Sequence, residues 1–238
     1  MIVVDGLSVE YGPVRAVRDV SFEIRDGEVL AILGRNGAGK TTTMKALAGL
    51  LPAAGGRIVD QDTDITKLDA DGRVRRGLVL VPEGRGMFAD LSVRENLLMG
   101  AYARRKTSRM LRDDLDRVTE PFPRIRERMG QRSGSLSGGE QQMLAVARGL
   151  MAEPRVLMID EPSLGLAPVI VDQLYEFLGS IRDAGITLVI VEQYVGVALG
   201  IADRAYVLDK GEIALSGDAE TLRTSPELIN TYLANDAA

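Results

Sequence analysis

One run of consecutive residues has the pattern of a phosphate-binding loop. It consists of Gly34, Arg35, Asn36, Gly37, Ala38, Gly39, Lys40, Thr41 and Thr42. The apolar run Val29–Leu33 precedes it, and a helix-like segment extends from Thr41 to Leu50. A strand, a glycine-rich turn and a helix in this order are the context in which the G-x-x-x-x-G-K-[ST] pattern binds phosphate. An ordinary glycine-rich turn before a helix is the alternative.

The residue types in this loop suit a nucleoside triphosphate. We expect Gly34, Gly37 and Gly39 to adopt positive φ angles, which let the backbone approach a ligand without a Cβ clash. The N–H groups at the helix start then point at the ligand, together with the positive end of the helix dipole. Lys40 is expected to reach the β- and γ-phosphates, and the Thr41 hydroxyl suits Mg²⁺. The loop therefore predicts binding of a nucleoside triphosphate.

Two carboxylates follow a second apolar run. The run Val156–Ile159 ends at Asp160 and Glu161, and a buried strand places such residues at the sheet edge where α/β proteins bind ligands. Asp160 is suited to hold Mg²⁺, directly or through water, and Glu161 can polarise a water in line with the γ-phosphate. The chain contains neither His nor Cys, so Glu161 is the best-placed general base. A solvated pair of carboxylates at a loop start is the alternative.

A second candidate anion site lies at the predicted start of another helix. Ser137 and Glu140 have the spacing of a capping box, and Gly138 and Gly139 between them expose backbone N–H groups to an anion. Because the chain already has one complete phosphate loop, we expect this helix start to serve the nucleotide of another copy. A plain N-cap without a ligand is the alternative.

Composition limits the class of protein. The chain has 238 residues, of which 45% are hydrophobic, so it can bury a sizeable core. Its net charge of −5 gives no general affinity for polyanions. The absence of Cys fits a reducing cytosol. We see no signal peptide at the N-terminus and no apolar run near the ~18–20 residues of a membrane span, so we expect a soluble protein.

The order of predicted elements indicates an α/β fold with a helical insert. Residues 1–28 contain four short β-like runs, which favour an antiparallel piece. A helical region then begins at the capping box of Ser92 and Glu95, and strands alternate with helices again from Arg155. We expect one domain over residues 1–238, with a nucleotide-binding core at 1–84 and 154–238 and a helical subdomain at 85–153.

These motifs together resemble the ABC-type ATPases, the nucleotide-binding subunits of ATP-driven transporters, over nearly the whole chain. Gly34–Thr42 matches the Walker A loop, Val156–Asp160 the Walker B strand and Leu136–Gln142 the family signature. The resemblance implies that Glu161 is the catalytic glutamate. It also implies that two copies enclose two ATP molecules, with each Walker A loop facing Ser137, Gly138, Gly139 and Glu140 of the other copy.

The resemblance assigns two further roles. Tyr11 would stack on the adenine ring, whereas the residues alone leave this role open against packing on the sheet. Residues 85–153 would form the helical subdomain that docks on the membrane subunits.

Three positions depart from the usual family pattern. Glu83 stands where most relatives have Gln between the core and the helical insert, and its expected target is the Mg²⁺ shell. Gln193 replaces the switch His and is left to sense the terminal phosphate as a hydrogen-bond donor. Ala167 replaces the Asp of the loop after Walker B. Together these variants resemble the shorter ATPase subunit of high-affinity branched-chain amino-acid importers, whose close relatives handle urea, short amides or other amino acids.

The resemblance also implies cofactors and partners. ATP and Mg²⁺ are the cofactors, and the expected place is the cytoplasmic face of the inner membrane. The partners are transmembrane permease subunits, a second ATPase subunit (the same chain or a longer paralogue) and, indirectly, a solute-binding protein. The rival class, soluble ABC-type proteins acting on nucleic acid or ribosomes, carries two cassettes or long coiled coils, for which 238 residues leave no room. A P-loop kinase or GTPase leaves Leu136–Gln142 unexplained. We therefore expect no nucleic-acid partner.

A local charge excess marks the predicted helical insert. Residues 101–132 hold ten Arg or Lys and five Asp or Glu, in a chain whose net charge is −5. Solvated helix faces are the ordinary interpretation. On the functional interpretation, this surface meets anionic lipid headgroups or the membrane subunits through residues such as Arg104, Arg105 and Lys106.

Overall fold

A computed structural model describes residues 1–104 and 108–228 of the chain. Its strands are β1 (Ile2–Tyr11), β2 (Val14–Ile24), β3 (Val29–Gly34), β4 (Gly55–Asp60), β5 (Thr63–Asp64), β6 (Leu78–Val81), β7 (Val156–Asp160), β8 (Thr187–Glu192), β9 (Arg204–Asp209) and β10 (Glu212–Asp218). Its helices are α1 (Lys40–Leu47), α2 (Ala70–Arg75), α3 (Val93–Gly100), α4 (Ser108–Thr119), α5 (Pro123–Glu127), α6 (Gly138–Leu150), α7 (Pro168–Asp183), α8 (Val195–Ile201) and α9 (Ala219–Arg223). Within those two ranges, no helix combines the length and the apolar character needed to cross a membrane.

Two sheets form the framework. One is antiparallel with the order β2-β1-β4-β5, and the other has the order β10-β9-β3-β8-β7-β6. Strands β9, β3, β8, β7 and β6 run parallel, while β10 pairs antiparallel with β9. The predicted α/β class with an antiparallel N-terminal piece is confirmed. Helices α3–α6 lie in the chain between β6 and β7, and the division into a core and a subdomain at residues 85–153 stays a prediction.

The carboxyl ends of three parallel strands determine where the site lies. Strands β3, β7 and β8 are buried along their whole length, as expected for apolar strands covered on both faces. In register, Leu33 lies opposite Glu192, and Asp160 lies opposite Val191. The glycine-rich loop leaves β3 at Gly34, so it emerges beside the ends of β8 and β7.

The four short β-like runs predicted at the N-terminus are two long strands in the structure. Gly6 and Asp19 have positive φ angles of 61° and 51°, and the β1–β2 register shifts between Val4 and Leu7. A bulge inserts residues without ending a strand. The interruptions of the sequence pattern therefore come from bulges rather than from strand ends.

Helix α2, which the sequence pattern did not reveal, brings a buried cation to the far end of α1. Arg73 is only 1% exposed. Its guanidinium donates to the carbonyl oxygens of Ala46 at 2.7 Å and Leu47 at 2.6 Å. A cation at a helix C-terminus satisfies free carbonyls and the negative end of the helix dipole. Arg73 therefore anchors the helix that begins at the glycine-rich loop.

The first residue of the basic run at 104–106 is mostly buried. Arg104 lies 3.0 Å from Asp114 and 2.5 Å from Glu153, and its side chain is 11% exposed. It also donates to the carbonyl oxygen of Met151. Arg104 is therefore a structural cation that ties α4 to the chain after α6. This position fits neither the solvated helix face nor the surface facing lipid or membrane subunits that the sequence left open. Residues 105 and 106 lie outside the described ranges.

Candidate nucleotide-binding and catalytic site

The glycine-rich loop has the backbone of an anion site. Helix α1 begins at Lys40, and no side chain caps its N-terminus, so the first-turn N–H groups are available to a ligand. Gly37 and Gly39 have φ angles of 81° and 103°, as predicted. Gly34 does not have a positive φ angle, and a Cβ atom there would lie 2.7 Å from the carbonyl oxygen of Leu208. Close packing rather than backbone angle requires Gly34, which corrects the prediction.

The ammonium group of Lys40 lies between backbone carbonyls and a carboxylate. The side chain is 4% exposed, and its Nζ donates to the carbonyl oxygens of Gly34 at 2.8 Å and Arg35 at 3.3 Å. The same Nζ lies 3.2 Å from Oε1 of Glu161. The residue expected to hold phosphate and the residue expected to orient water therefore form a buried ion pair.

Asp160 and Thr41 meet beside this pair. The Thr41 hydroxyl donates to Oδ1 of Asp160 at 3.1 Å. Burial raises the pKa of Asp160 to about 6, and the nearby carboxylates of Glu161 and Glu83 add to the effect, while Thr41 and Lys40 oppose it only in part. The positive charge of Lys40 therefore does not balance the three carboxylates that lie close together here. A divalent cation would supply that charge.

The donor set at this point suits Mg²⁺. A hydroxyl and a carboxylate are oxygen ligands, and Mg²⁺ commonly binds through one or two protein ligands, several waters and substrate phosphates. In the part of the chain that the structure describes, no group of three acidic, His or Cys residues forms a complete metal site. The protein therefore fits a cation that arrives with the nucleotide and is held by Thr41 and Asp160, with Glu83 in the surroundings.

Glu161 occupies a strained turn. Its φ angle is 48°, in the left-handed region that costs a non-glycine residue about 1 kcal/mol or more. The Glu161 N–H donates to the carbonyl oxygen of Val191 at 2.9 Å, and the Leu164 N–H donates back to the Glu161 carbonyl at 3.2 Å. These bonds fix the backbone of the candidate base against the end of β8.

A cavity of about 440 Å³ opens at the loop, a size typical of ligand sites. Its lining consists of Ala16, Asn36, Gly37, Ala38, Gly39, Lys40, Thr41, Thr42, Glu83, Glu161 and Leu164. Tyr11, at the end of β1, is 46% exposed and is not in this lining. Gln193 is exposed just after β8 and is not in the lining either. The structure brings most of the predicted residues together, whereas the roles of Tyr11 and Gln193 stay predictions.

The second candidate anion site is a well-formed helix start. Ser137 caps α6, and Ser137 and Glu140 form the predicted capping box. A Cβ atom at Gly138 would lie 3.1 Å from the guanidinium of Arg85, and one at Gly139 would lie 2.7 Å from a methyl group of Ile170. Close packing against Ile170 therefore requires Gly139, whereas at Gly138 the neighbouring group is the flexible end of the Arg85 side chain.

Two arginines that the sequence did not single out connect the first site to the second. Arg85, two residues after Glu83, donates to Oε1 of Gln141 at 2.9 Å. Arg148 of α6 donates to the carbonyl oxygens of Arg85 and Gly86, each at 2.8 Å. The turn that carries Glu83 is thus attached to α6. Such contacts between residues far apart in the chain carry no local sequence signal.

Comparison with known proteins points to one family. The family profile described as ABC transporter matches residues 17–164. The high-affinity branched-chain amino acid transport ATP-binding protein BraG of Pseudomonas aeruginosa is 43% identical, over 98% of this chain and 99% of its own. The lipopolysaccharide export system ATP-binding protein LptB of Escherichia coli is 34% identical, over 97% of this chain and 95% of its own.

Solved structures agree on the fold. An ATP-binding cassette of an ABC transporter in its ADP conformation has a TM-score of 0.86 at 24% identity and covers 99% of both chains. The ATP-binding subunit of another ABC transporter has a TM-score of 0.82 at 27% identity, over 96% of this chain and 94% of its own.

Proposed function

The chain belongs to the ABC transporter family and is an ATPase with the P-loop fold of that family, and on this premise we propose that it powers a membrane importer for branched-chain amino acids. One observation supports its part in hydrolysis above all others. Lys40, Thr41 and Glu161 line one cavity, with Lys40 and Glu161 in an ion pair. Asp160, at the end of the buried strand β7, accepts a hydrogen bond from Thr41 beside them.

The positions of these residues support the following roles in hydrolysis. The loop N–H groups and Lys40 bind the phosphates. Thr41 with Asp160 would hold Mg²⁺, which would supply positive charge to the phosphoryl group that is transferred. Glu161 is released from Lys40 when the phosphates take its place. Its carboxylate then orients the attacking water and accepts the proton of that water.

The choice of solute is supported by relatives of nearly equal length. BraG and a probable LivF of Archaeoglobus fulgidus, 36% identical over 91% of each chain, are named as branched-chain amino acid transport proteins. Urea, short amides or other amino acids are the nearest alternative solutes. The chain is also similar to LptB, which is named for lipopolysaccharide export. Powering such an export system is therefore the second candidate function.

An apolar groove beside α3 and α6 supports docking on permease subunits. It has a volume of about 370 Å³, and its lining includes Phe88, Met99 and Tyr102. These side chains are 47%, 45% and 86% exposed. Exposed aromatic residues and Met are enriched at protein interfaces. The groove binds the cytoplasmic part of the membrane subunits, which places the chain at the inner face of the membrane.

The identity of the transported solute can be tested with the intact transporter. The chain is purified with its membrane subunits, reconstituted in vesicles and supplied with its solute-binding protein. ATP-dependent uptake of labelled leucine should exceed the uptake of labelled urea and of a short amide. Faster uptake of urea or the amide would identify one of the alternative solutes, and the lack of any uptake would contradict the importer function.

Replacing Tyr102 should separate transport from hydrolysis. Tyr102→Glu places a charge in the apolar groove, and loss of one central aromatic contact costs about 2 kcal/mol at many interfaces. We expect coupled transport to fall at least about tenfold, while the isolated chain hydrolyses ATP at the parental rate. Tyr102→Phe keeps the ring and should transport normally. If Tyr102→Glu transports at the parental rate, the groove does not bind the permease.

Replacing Gln193 by His should change the pH profile of hydrolysis without abolishing it. An imidazole N–H can replace the amide as hydrogen-bond donor, so substantial ATPase activity should remain. The variant should gain an ionisation near pH 6–7, the usual range of His. Burial raises the pKa of Asp160 to about 6 in the parent, so the parent curve is the baseline, and the difference between the two rate-against-pH curves isolates the imidazole. An inactive Gln193→His enzyme would show that Gln193 is not a simple donor to the terminal phosphate.

A further inference from the structure

A buried carboxylate at the end of β8 has no role in the mechanism described above. Glu192 is 1% exposed. Among the described residues, no Lys or Arg forms an ion pair with it. An uncompensated carboxylate is costly to bury unless hydrogen bonds stabilise its charge, so the groups around Glu192 indicate what it does.

Three donors from three parts of the chain surround Glu192. The Tyr175 hydroxyl of α7 donates to Oε1 at 2.8 Å, and the Ser163 N–H donates to the same oxygen at 2.9 Å. The Gln193 N–H donates to Oε2 at 3.2 Å. Burial, together with the charge of Glu192, raises the pKa of Tyr175 well above its usual range, so the phenol stays a donor.

Two of these donors lie next to the groups assigned to hydrolysis. Ser163 is in the turn whose first residue is Glu161, and that turn is also held by the bond from the Glu161 N–H to Val191. Hydrogen bonds to Val191 and to Glu192 therefore attach the turn to β8 at two points. These two bonds keep Glu161 at its strained φ angle of 48°.

We propose that Glu192, anchored by Tyr175, is a positioning residue that holds the catalytic Glu161 and the switch residue Gln193 in one fixed geometry. This inference rests on the ATPase function and concerns the chemical step rather than nucleotide binding. Small displacements of a general base lower the rate strongly, because the base must lie within hydrogen-bond reach of the water it activates.

Glu192→Gln tests the inference with little change in shape. An amide offers one acceptor oxygen in place of two, so either the Ser163 and Tyr175 bonds or the Gln193 bond is lost. We expect kcat of the full-length chain to fall at least about tenfold, equivalent to ~1.4 kcal/mol in the barrier. The ATP dissociation constant, measured by equilibrium titration with Mg²⁺, should stay within about twofold, because the hydrogen bonds of the Glu192 carboxylate go to Ser163, Tyr175 and Gln193 and to no described residue of the phosphate loop. Tyr175→Phe removes one donor and should lower kcat by about threefold or more.

A matched control separates positioning from general stability. Glu28, at the opposite end of the sheet, is also buried and accepts a hydrogen bond from the Arg25 N–H at 2.7 Å. Unlike Glu192, it also lies 3.4 Å from the guanidinium of Arg204, so its replacement is expected to cost stability. Glu28→Gln should lower the melting temperature but leave kcat within about twofold of the parent, since a stability loss far from the site does not reach the chemical step.

A double variant shows whether Glu192 acts through Glu161. In the Glu161→Gln background, adding Glu192→Gln should lower kcat by a smaller factor than it does in the parent, because residues that act as one unit are not additive. The inference is overturned if both Glu192→Gln and Tyr175→Phe keep parental kcat, if kcat and ATP affinity fall together, or if the double variant shows the full additional loss. A parent chain that does not hydrolyse ATP would instead overturn the proposed function.

Discussion

The Glu161→Gln variant should bind ATP and hydrolyse it at least ~10²-fold more slowly than the parent, the low end for the loss of a general base. The amide keeps the shape of the side chain but cannot accept a proton from water. No His or Cys exists in the chain to replace it. The other nearby carboxylates, Asp160 and Glu83, are expected to be engaged with Mg²⁺. The measurement is steady-state phosphate release at saturating ATP and Mg²⁺.

The control for this variant is nucleotide binding. The ATP dissociation constant of Glu161→Gln should not exceed that of the parent, since the loop N–H groups and Lys40 are unchanged. A turnover within tenfold of the parental rate would show that another group activates the water.

Ser137→Arg should abolish hydrolysis while ATP binding to the single chain stays nearly intact. Ser137 is exposed at the start of α6 and is absent from the lining of the cavity at the chain's own phosphate loop. If two copies enclose ATP as the resemblance implies, the large side chain blocks the contact with the nucleotide of the other copy. ATPase assays and equilibrium ATP titration measure the two properties separately.

Dimer formation, measured by sedimentation, tests whether Ser137 contacts the nucleotide of a second copy. With saturating ATP and Mg²⁺, Glu161→Gln should sediment as a dimer, either with itself or with a longer paralogue, because unhydrolysed phosphates then join the two copies. The Glu161→Gln, Ser137→Arg double variant should stay monomeric. Ser137→Thr keeps an N-cap and serves as the control. Parental hydrolysis by Ser137→Arg would show that this helix start binds no second nucleotide.

The parts of the site that sequence predicted are those built from neighbouring residues. Lys40 and Thr41 belong to one glycine-rich loop, and Asp160 and Glu161 follow one apolar strand, so local spacing and the parallel-sheet rule place them together. Their mutual contacts also follow, because β3 and β7 both flank β8 and end at the same sheet edge.

The parts that sequence did not predict depend on contacts across the fold. Arg73, Arg85 and Glu192 are single residues without a surrounding motif, and their partners lie in other elements. The same reason explains why the sequence did not show that Arg104 is a structural cation. A basic run suggested an exposed surface, whereas burial and the carboxylates of Asp114 and Glu153 turn its first residue into a structural cation. The spacing of residues along the sequence does not predict which distant carboxylate an arginine will pair with.

If Lys40 binds phosphate and Glu161 activates water, as we propose, their ion pair is an intramolecular competitor of the substrate. Because both groups belong to one folded chain, the effective concentration of the carboxylate at the ammonium is fixed by geometry and is independent of cellular conditions. A nucleotide would then have to displace this competitor in every cycle, and the departure of products would let it return without any further signal. After each turnover the enzyme would thus return to a state in which its base is engaged and unable to activate water.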